Sequence, residues 1–175
     1  MEIRVQKKAK EYVDMGYKIF FEDESIVRLD PVIKRGWYRK GTKPIQLVNG
    51  LTTKTVVFGA MAGMQKVMMY ACKANMTGFR KFLKRLSVFG KAVLVLDNAS
   101  WHRSKKVIEY AKSLGIILYF LPPYSPELNP IEQLWKYIKH NVTYRLHADI
   151  DDLKAAVRMF VRKSDFEIDI GQFMS

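Results

Sequence analysis

The chain predicts an α/β domain whose core is a mixed sheet of about five strands, three antiparallel and then two parallel, with helices on both faces. Three observations predict it. Ile19, Phe20 and Phe21 form a compact apolar run without Gly or Pro, as a strand requires. Val93–Leu96 is continuously aliphatic, the signature of a strand covered on both sides of a parallel or mixed sheet. Phe79, Phe82, Leu83 and Leu86 recur at helical spacing opposite Arg80, Lys81, Lys84 and Arg85. A length of 175 residues suits one domain with a real core, so residues 1–175 are expected to form a single unit.

Taken in order, residues 2–15 place Ile3, Val5, Ala9, Tyr12 and Val13 among charges and suit a short opening helix. The first strand is expected over Tyr17–Glu22, with Asp23 at its C-terminal end. From Lys34 to Met76, β-rich segments around Trp37–Arg39, Ile45–Val48, Thr55–Ala60 and Val67–Cys72 alternate with Gly36, Gly41, Gly50 and Gly63, the pattern of an antiparallel meander. The Phe79–Leu86 helix stops at Gly90, and the Val93–Leu96 strand ends at Asp97. Ser104 is a candidate cap for a helix to about Leu114, with Val107, Ile108 and Ala111 inward and Gly115 as its stop. Ile116–Leu121 reads as another buried strand. Helices are then expected from Ile131 to about Asn141, and from near Asp151 with Leu153, Ala156, Val157 and Phe160 inward. This is the element order of a ribonuclease H-like fold.

Composition narrows the partner. Lys and Arg number 30 against 17 Asp and Glu, a formal net charge of +13, which favours a polyanion and nucleic acid first. No apolar run approaches the ~20 residues of a membrane span, and the charged N-terminus lacks the apolar stretch of a secretory signal. A cytoplasmic protein without a membrane partner is expected. Cys72 is the single cysteine, so an internal disulfide and a multi-cysteine zinc site are excluded, and a metal must use oxygen or imidazole ligands.

Three carboxylates stand where this topology brings elements together: Asp23 and Asp97 at strand ends, and Glu132 in the first turn of a helix. Hard cations such as Mg²⁺ or Mn²⁺ want oxygen ligands, and a pair of them about 4 Å apart stabilises both the attacking and leaving oxygens of an in-line phosphoryl transfer. Three converging negative groups repel unless a cation offsets them. The three acids are therefore expected within metal-bridging distance. Each also has an ordinary reading: Asp23 as one of the loop acids of Glu22-Asp23-Glu24, Asp97 with Asn98 as a turn device, and Glu132 as a helix-dipole partner.

The segments around the acids add to the case. Leu121-Pro-Pro-Tyr-Ser-Pro-Glu-Leu-Asn-Pro130 has four prolines in ten residues, a stiff connection that sets the angle of the next helix. Ser125 and Asn129 are natural caps, and Pro130 suits the first helical position. In that helix Ile131, Leu134, Trp135 and Ile138 form the core stripe, while Glu132, Lys136 and Lys139 share another that fits a DNA track or an ordinary solvated face.

Three blocks, Phe21-Glu-Asp-Glu-Ser25, Leu96-Asp-Asn-Ala-Ser-Trp-His102 and Leu121–Pro130 with Ile131-Glu132, resemble the acidic blocks of mariner-superfamily DDE transposases, in particular the prokaryotic insertion-sequence branch. The second and third acids are separated by 34 residues, similar to that superfamily's common spacing. Trp37, Gly41 and Pro44 resemble its Trp and Gly-x-x-Pro element. The resemblance implies that Asp23, Asp97 and Glu132 bind two Mg²⁺ (or Mn²⁺) ions, first for strand cleavage by water and then for transfer of a DNA 3′-hydroxyl. It also implies double-stranded DNA partners, namely transposon ends and target TA sites, and a homodimer or larger synaptic complex. The family's N-terminal helix-turn-helix has no counterpart ahead of the first strand, so a fragment, a split-gene product partnered by a separate DNA-binding polypeptide, or a remnant is expected.

His102 falls in the second block and is a candidate phosphate contact, metal neighbour or simple helix-entry residue. Arg35, Arg39 and Lys40 belong to Lys34-Arg-Gly-Trp-Tyr-Arg-Lys-Gly-Thr-Lys43, whose mixture of rings and charges suits DNA, or else a basic hairpin with Trp37 packed inward. The rival readings are another ribonuclease H-like nuclease acting on a hybrid or branched substrate, and a catalytically silent DNA-binding remnant or regulator.

Overall fold

β1 is the longest strand. It spans Lys18–Arg28, six residues past the expected end, so that Asp23 lies inside it. The acidic Glu-Asp-Glu interrupts the apolar pattern, but the strand continues because its neighbour β2, Lys54–Ala62, pairs with it antiparallel from Phe21 through Arg28. A computed structural model describes residues 10–31, 37–42, 45, 48, 50, 52–123 and 125–167. β3, Gln65–Ala71, folds back on β2 through a tight turn at Gly63, whose φ of 56° favours glycine. β4, Ala92–Leu96, and β5, Ile116–Phe120, add in parallel, giving the order β3-β2-β1-β4-β5. The expected three antiparallel and two parallel strands are present.

Two pieces of the expected meander differ. Residues 37–39 are not a strand, and Trp37 is fully exposed rather than packed inward. Ile45 and Val48 are likewise outside any strand, while Lys34, Arg35, Gly36, Lys43 and Pro44 lie outside the described residues. The expected opening helix is described only from residue 10 and is α-helical to residue 14. β5 is half-buried beyond Ile116, because it forms the edge of the sheet and only one neighbour covers it.

Helices cover both faces. α1, Met76–Leu86, is capped by Asn75, whose Oδ1 accepts from Gly78 N at 2.9 Å. With α2, Lys105–Ser113, it packs on the face formed by Phe20, Phe58, Leu94 and Leu96. Ser104 precedes α2 but does not cap it through its side chain; its hydroxyl reaches Met76 Sδ instead. α3, Ile131–Asn141, and α4, Ile150–Lys163, cover the other face, where Phe21, Val57, Met61 and Val95 meet Leu134, Trp135, Leu153 and Val157. Asp149 caps α4, accepting from the amides of Asp151 and Asp152. The two apolar layers follow directly from strand alternation, since successive β1 residues face α1/α2 and α3/α4 in turn.

α3 approaches the sheet closely at one point. A Cβ on Gly59 of β2 would lie 2.5 Å from Trp135 Cη2 and 2.8 Å from Cζ2, so the indole occupies the space that a side chain would need. Trp135 is buried and cannot move without disturbing the layer around it. Gly59→Ala is therefore expected to destabilise the fold by about 1–3 kcal/mol, despite the better strand propensity of alanine, as overpacking does. Urea unfolding measures this directly, and a midpoint equal to or above that of the parent would contradict the packing described.

Candidate metal centre

The pairing of β1 with β4 ends at Phe21 opposite Val95. β4 stops at Leu96, while β1 runs on beside β2 alone, and Asp23 and Asp97 stand two residues beyond that last pair on their respective strands. The opening lies at the carboxyl ends of the parallel strands, where α/β sheets commonly bind ligands. The segment that leaves β5 supplies the far wall. Its chain leaves through Leu121, whose amide bonds Leu96 O at 2.9 Å and whose carbonyl accepts from Asn98 Nδ2. The proline-containing segment then crosses the opening and delivers α3.

Glu132 is the second residue of α3 and half-buried. Ile131, Leu134, Trp135 and Ile138 bury the opposite stripe, so its position is set by the core rather than by a loop. Neither Ser125 nor Asn129 caps this helix with its side chain, contrary to expectation. Asn129 instead donates Nδ2 to Glu22 O at 2.8 Å, tying the helix entrance to β1. Asp23, Asp97, Glu132, Asn129 and Ser125 line one open cavity of about 490 Å³.

The acids are held differently. Trp135 Nε1 donates to Asp23 Oδ2 at 2.9 Å. Asp97 Oδ1 accepts from Ala99 N at 2.9 Å and faces His102 Nδ1 at 3.0 Å. The His102 hydrogen bond, supported by Ala99, holds the Asp97 carboxyl below its ordinary range against the opposing effect of burial. Asp23 behaves in the opposite way: burial, then the negative charge of Glu132, pushes it up to about 7. Burial is the larger cause of that shift and the neighbouring Glu132 the smaller, and an all-oxygen donor set of this kind fits Mg²⁺ or Mn²⁺.

The expected convergence is looser than metal-bridging distance for all three acids at once. Among the described residues, ligand atoms gather within 4.8 Å of one another only in Glu22, Glu24 and His102. The physical reason is visible in the bonds: Trp135 draws Asp23 toward α3, and His102 draws Asp97 toward the other face. His102 is also fully buried and packed at a tilt against Phe79, with ring centroids 4.2 Å apart, so it is removed from the expected DNA contacts. Lys136, Lys139, Arg39 and Lys40 are exposed, whereas Arg35 lies outside the described residues.

Comparison with known proteins agrees with this geometry. The family model described as DDE superfamily endonuclease matches residues 18–154. The chain belongs to this endonuclease family. It is 27% identical over 143 residues to an insertion element IS630 uncharacterized 39 kDa protein of Shigella sonnei, covering 78% of this chain and 42% of that protein. It is 44% identical over 63 residues to an uncharacterized protein of Sinorhizobium fredii, covering 35% of this chain and 44% of that protein. The chain thus spans less than half the length of these curated relatives. Among solved structures, the mariner Mos1 paired end complex with Mg superposes with a TM-score of 0.69 at 16% identity, covering 94% of this chain and 55% of that one. The Mos1 transposase catalytic domain with Raltegravir and Mg gives 0.60 at 13% identity, covering 94% and 83%. The shared fold is ribonuclease H-like.

Several residues around this cavity escaped sequence reasoning. Trp135 was assigned to the core stripe, where it indeed lies, but a buried indole N–H needs an acceptor, and Asp23 supplies it. Glu22 and Glu24 flank Asp23, so strand alternation sends both to the other face, where Glu24 meets His102 Nε2 at 3.1 Å and Trp101 Nε1 at 3.4 Å. Glu22 is fully buried, and burial followed by the charge of Glu24 raises its pKa well above the ordinary range.

The raised Asp23 pKa has a consequence for stability. An unfolded aspartate titrates at about 3.9, so the folded chain holds this proton more tightly than the unfolded one. The cost of ionising Asp23 is therefore absent below about pH 4, grows as pH rises, and is complete above the folded value of about 7. Asn at this position keeps an acceptor for Trp135 and cannot ionise. In chelator, Asp23→Asn should melt above the parent at about pH 8 and level with it at about pH 4. Thermal melts across that range check this, and equal melting temperatures throughout would contradict it.

Proposed function

We propose that this domain is the catalytic part of a DNA transposase of the mariner and insertion-sequence type, cleaving DNA strands and joining them to new sites. The observation that carries the reading is the gathering of Asp23, Asp97 and Glu132 around one cavity at the open end of the parallel strands. Divalent cations bound there, two Mg²⁺ or Mn²⁺ ions per site, would supply charge stabilisation to the attacking and leaving oxygens of phosphoryl transfer. Asp97 and Asp23 offer carboxylates from adjacent strands, and Glu132 offers a third from a helix whose other face is locked in the core.

The surroundings suit a DNA backbone. Lys136 and Lys139 follow Glu132 on α3 and are exposed, and the chain carries a net charge of +13. Arg39, Lys40 and the exposed Trp37 and Tyr38 offer a second mixed basic and aromatic surface. Transposon ends and TA-containing target DNA are the proposed substrates, handled by a homodimer or synaptic oligomer, with end recognition supplied by a separate DNA-binding polypeptide or region. No helix among the described residues is long and apolar enough to cross a membrane, and a cytoplasmic, nucleoid-associated protein is the reading we adopt.

The test is nicking of supercoiled DNA with Mg²⁺ or Mn²⁺ by the protein and by Asp97→Asn at equal concentration. Cleavage by the parent that falls to the enzyme-free level in the variant is the expected outcome. Cleavage that survives the substitution, or that persists in chelator, would remove the carboxylate-metal mechanism.

A further inference from the structure

A second cluster sits across the sheet from the cavity, joined to it through one side chain. His102 is buried beneath Phe79 and Trp101, and each of its ring nitrogens faces a carboxylate: Nδ1 lies 3.0 Å from Asp97 Oδ1, and Nε2 lies 3.1 Å from Glu24 Oε1. Each ring nitrogen is thus within hydrogen-bond distance of a carboxylate oxygen, and the ring joins Asp97 to Glu24. Glu22, Glu24 and His102 resemble a metal-ligand set by proximity. Both imidazole nitrogens are already committed to carboxylates, however.

The consequence for the cavity lies in Asp97. Its Oδ1 is occupied twice, by Ala99 N and by His102, while Oδ2 makes no hydrogen bond to any described residue. Two donors on one oxygen fix the rotation of the carboxylate and leave the other oxygen as its ligand atom. We propose that His102 is a positioning residue for the metal centre: anchored by Glu24 and by ring packing, it sets the orientation of Asp97 so that Oδ2 faces the cation. This rests on the metal-dependent reading above and deepens it, because His102 itself is fully buried and acts through Asp97. Groups that orient a ligating carboxylate in this way typically contribute 10–100-fold to metal affinity.

His102→Phe keeps the ring against Phe79 and Trp101 and removes both donors, while His102→Gln retains an N–H for one of them. Mn²⁺ binding by titration calorimetry, which needs no DNA and no turnover, should give a dissociation constant about 10–100-fold weaker for His102→Phe, with partial recovery in His102→Gln. A merely structural histidine predicts lower melting temperatures with an unchanged Mn²⁺ constant in the folded protein, and that result would overturn the proposal. Should His102→Phe fail to fold, nitrogen-resolved NMR of the parent carries the test. Both ring N–H protons should be protected from exchange, and Mg²⁺ should shift the Nδ1 proton more than the Nε2 proton. An Nδ1 without a proton, or one indifferent to Mg²⁺, would overturn it equally. A parent protein that binds no Mn²⁺ at all would instead overturn the metal centre, and this inference with it.

Discussion

β1 outruns β4 by the length of its pairing with β2, and the chemistry of the domain depends on that overrun. Beyond Phe21 the strand has a neighbour on one side only, so the groups that follow, Glu22, Asp23 and Glu24, emerge beside the end of β4 and its Asp97. Alternation then sorts them, with Asp23 toward α3 and its two neighbours toward α1 and α2. Four acids so close together are costly for any fold, and three devices answer them: an indole N–H for Asp23, one imidazole for both Asp97 and Glu24, and suppressed ionisation for Glu22. A basic chain has cations to spare, yet no Lys or Arg forms an ion pair with any of these acids among the described residues. Among the described residues, no Lys or Arg lines the cavity that Asp23, Asp97 and Glu132 share.

The close approach at Gly59 belongs to the same design. Gly59 is the direct cross-strand partner of Asp23, and the absence of a side chain there lets Trp135 lie across β2 and reach the carboxylate. Trp135 in turn fixes α3, which carries Glu132 one turn earlier on the same helix. Core packing and ligand placement are thus set by one residue, and a helix that shifted by a fraction of a turn would lose the Asp23 bond and misplace Glu132 together. Asn129 adds a second tie, from the helix entrance to the backbone of β1.

How much of this was legible depended on whether a feature is local. The Ala92–Leu96 strand and its closing Asp97 could be read because a strand buried on both faces must be apolar throughout. α1, α3 and α4 announce themselves by spacing, and Asp97 and Glu132 by their positions at element ends, whereas Asp23 was expected at the end of a strand that runs on past it. The continuation of β1 through Glu-Asp-Glu was not legible, since charge argues against a strand and only pairing with β2, some thirty residues away in sequence, sustains it. Trp37–Arg39 reads as strand on composition and is none, because no partner strand is there to pair with it among the described residues. Asn129 looks like a cap, but a buried backbone carbonyl on β1 takes its amide instead. The Glu24–His102 and Asp23–Trp135 bonds needed three dimensions, as each joins segments far apart in sequence.

Diffraction from crystals soaked in Mn²⁺, collected where manganese scatters anomalously, locates the cation. Manganese is expected in the cavity between Asp23 of β1, the end of β4 and the first turn of α3, with Asp97 as a ligand shared with Asp23 or Glu132. Manganese bound only at Glu22 and Glu24 on the other face of the sheet, or absent from the cavity at saturating concentration, would contradict it.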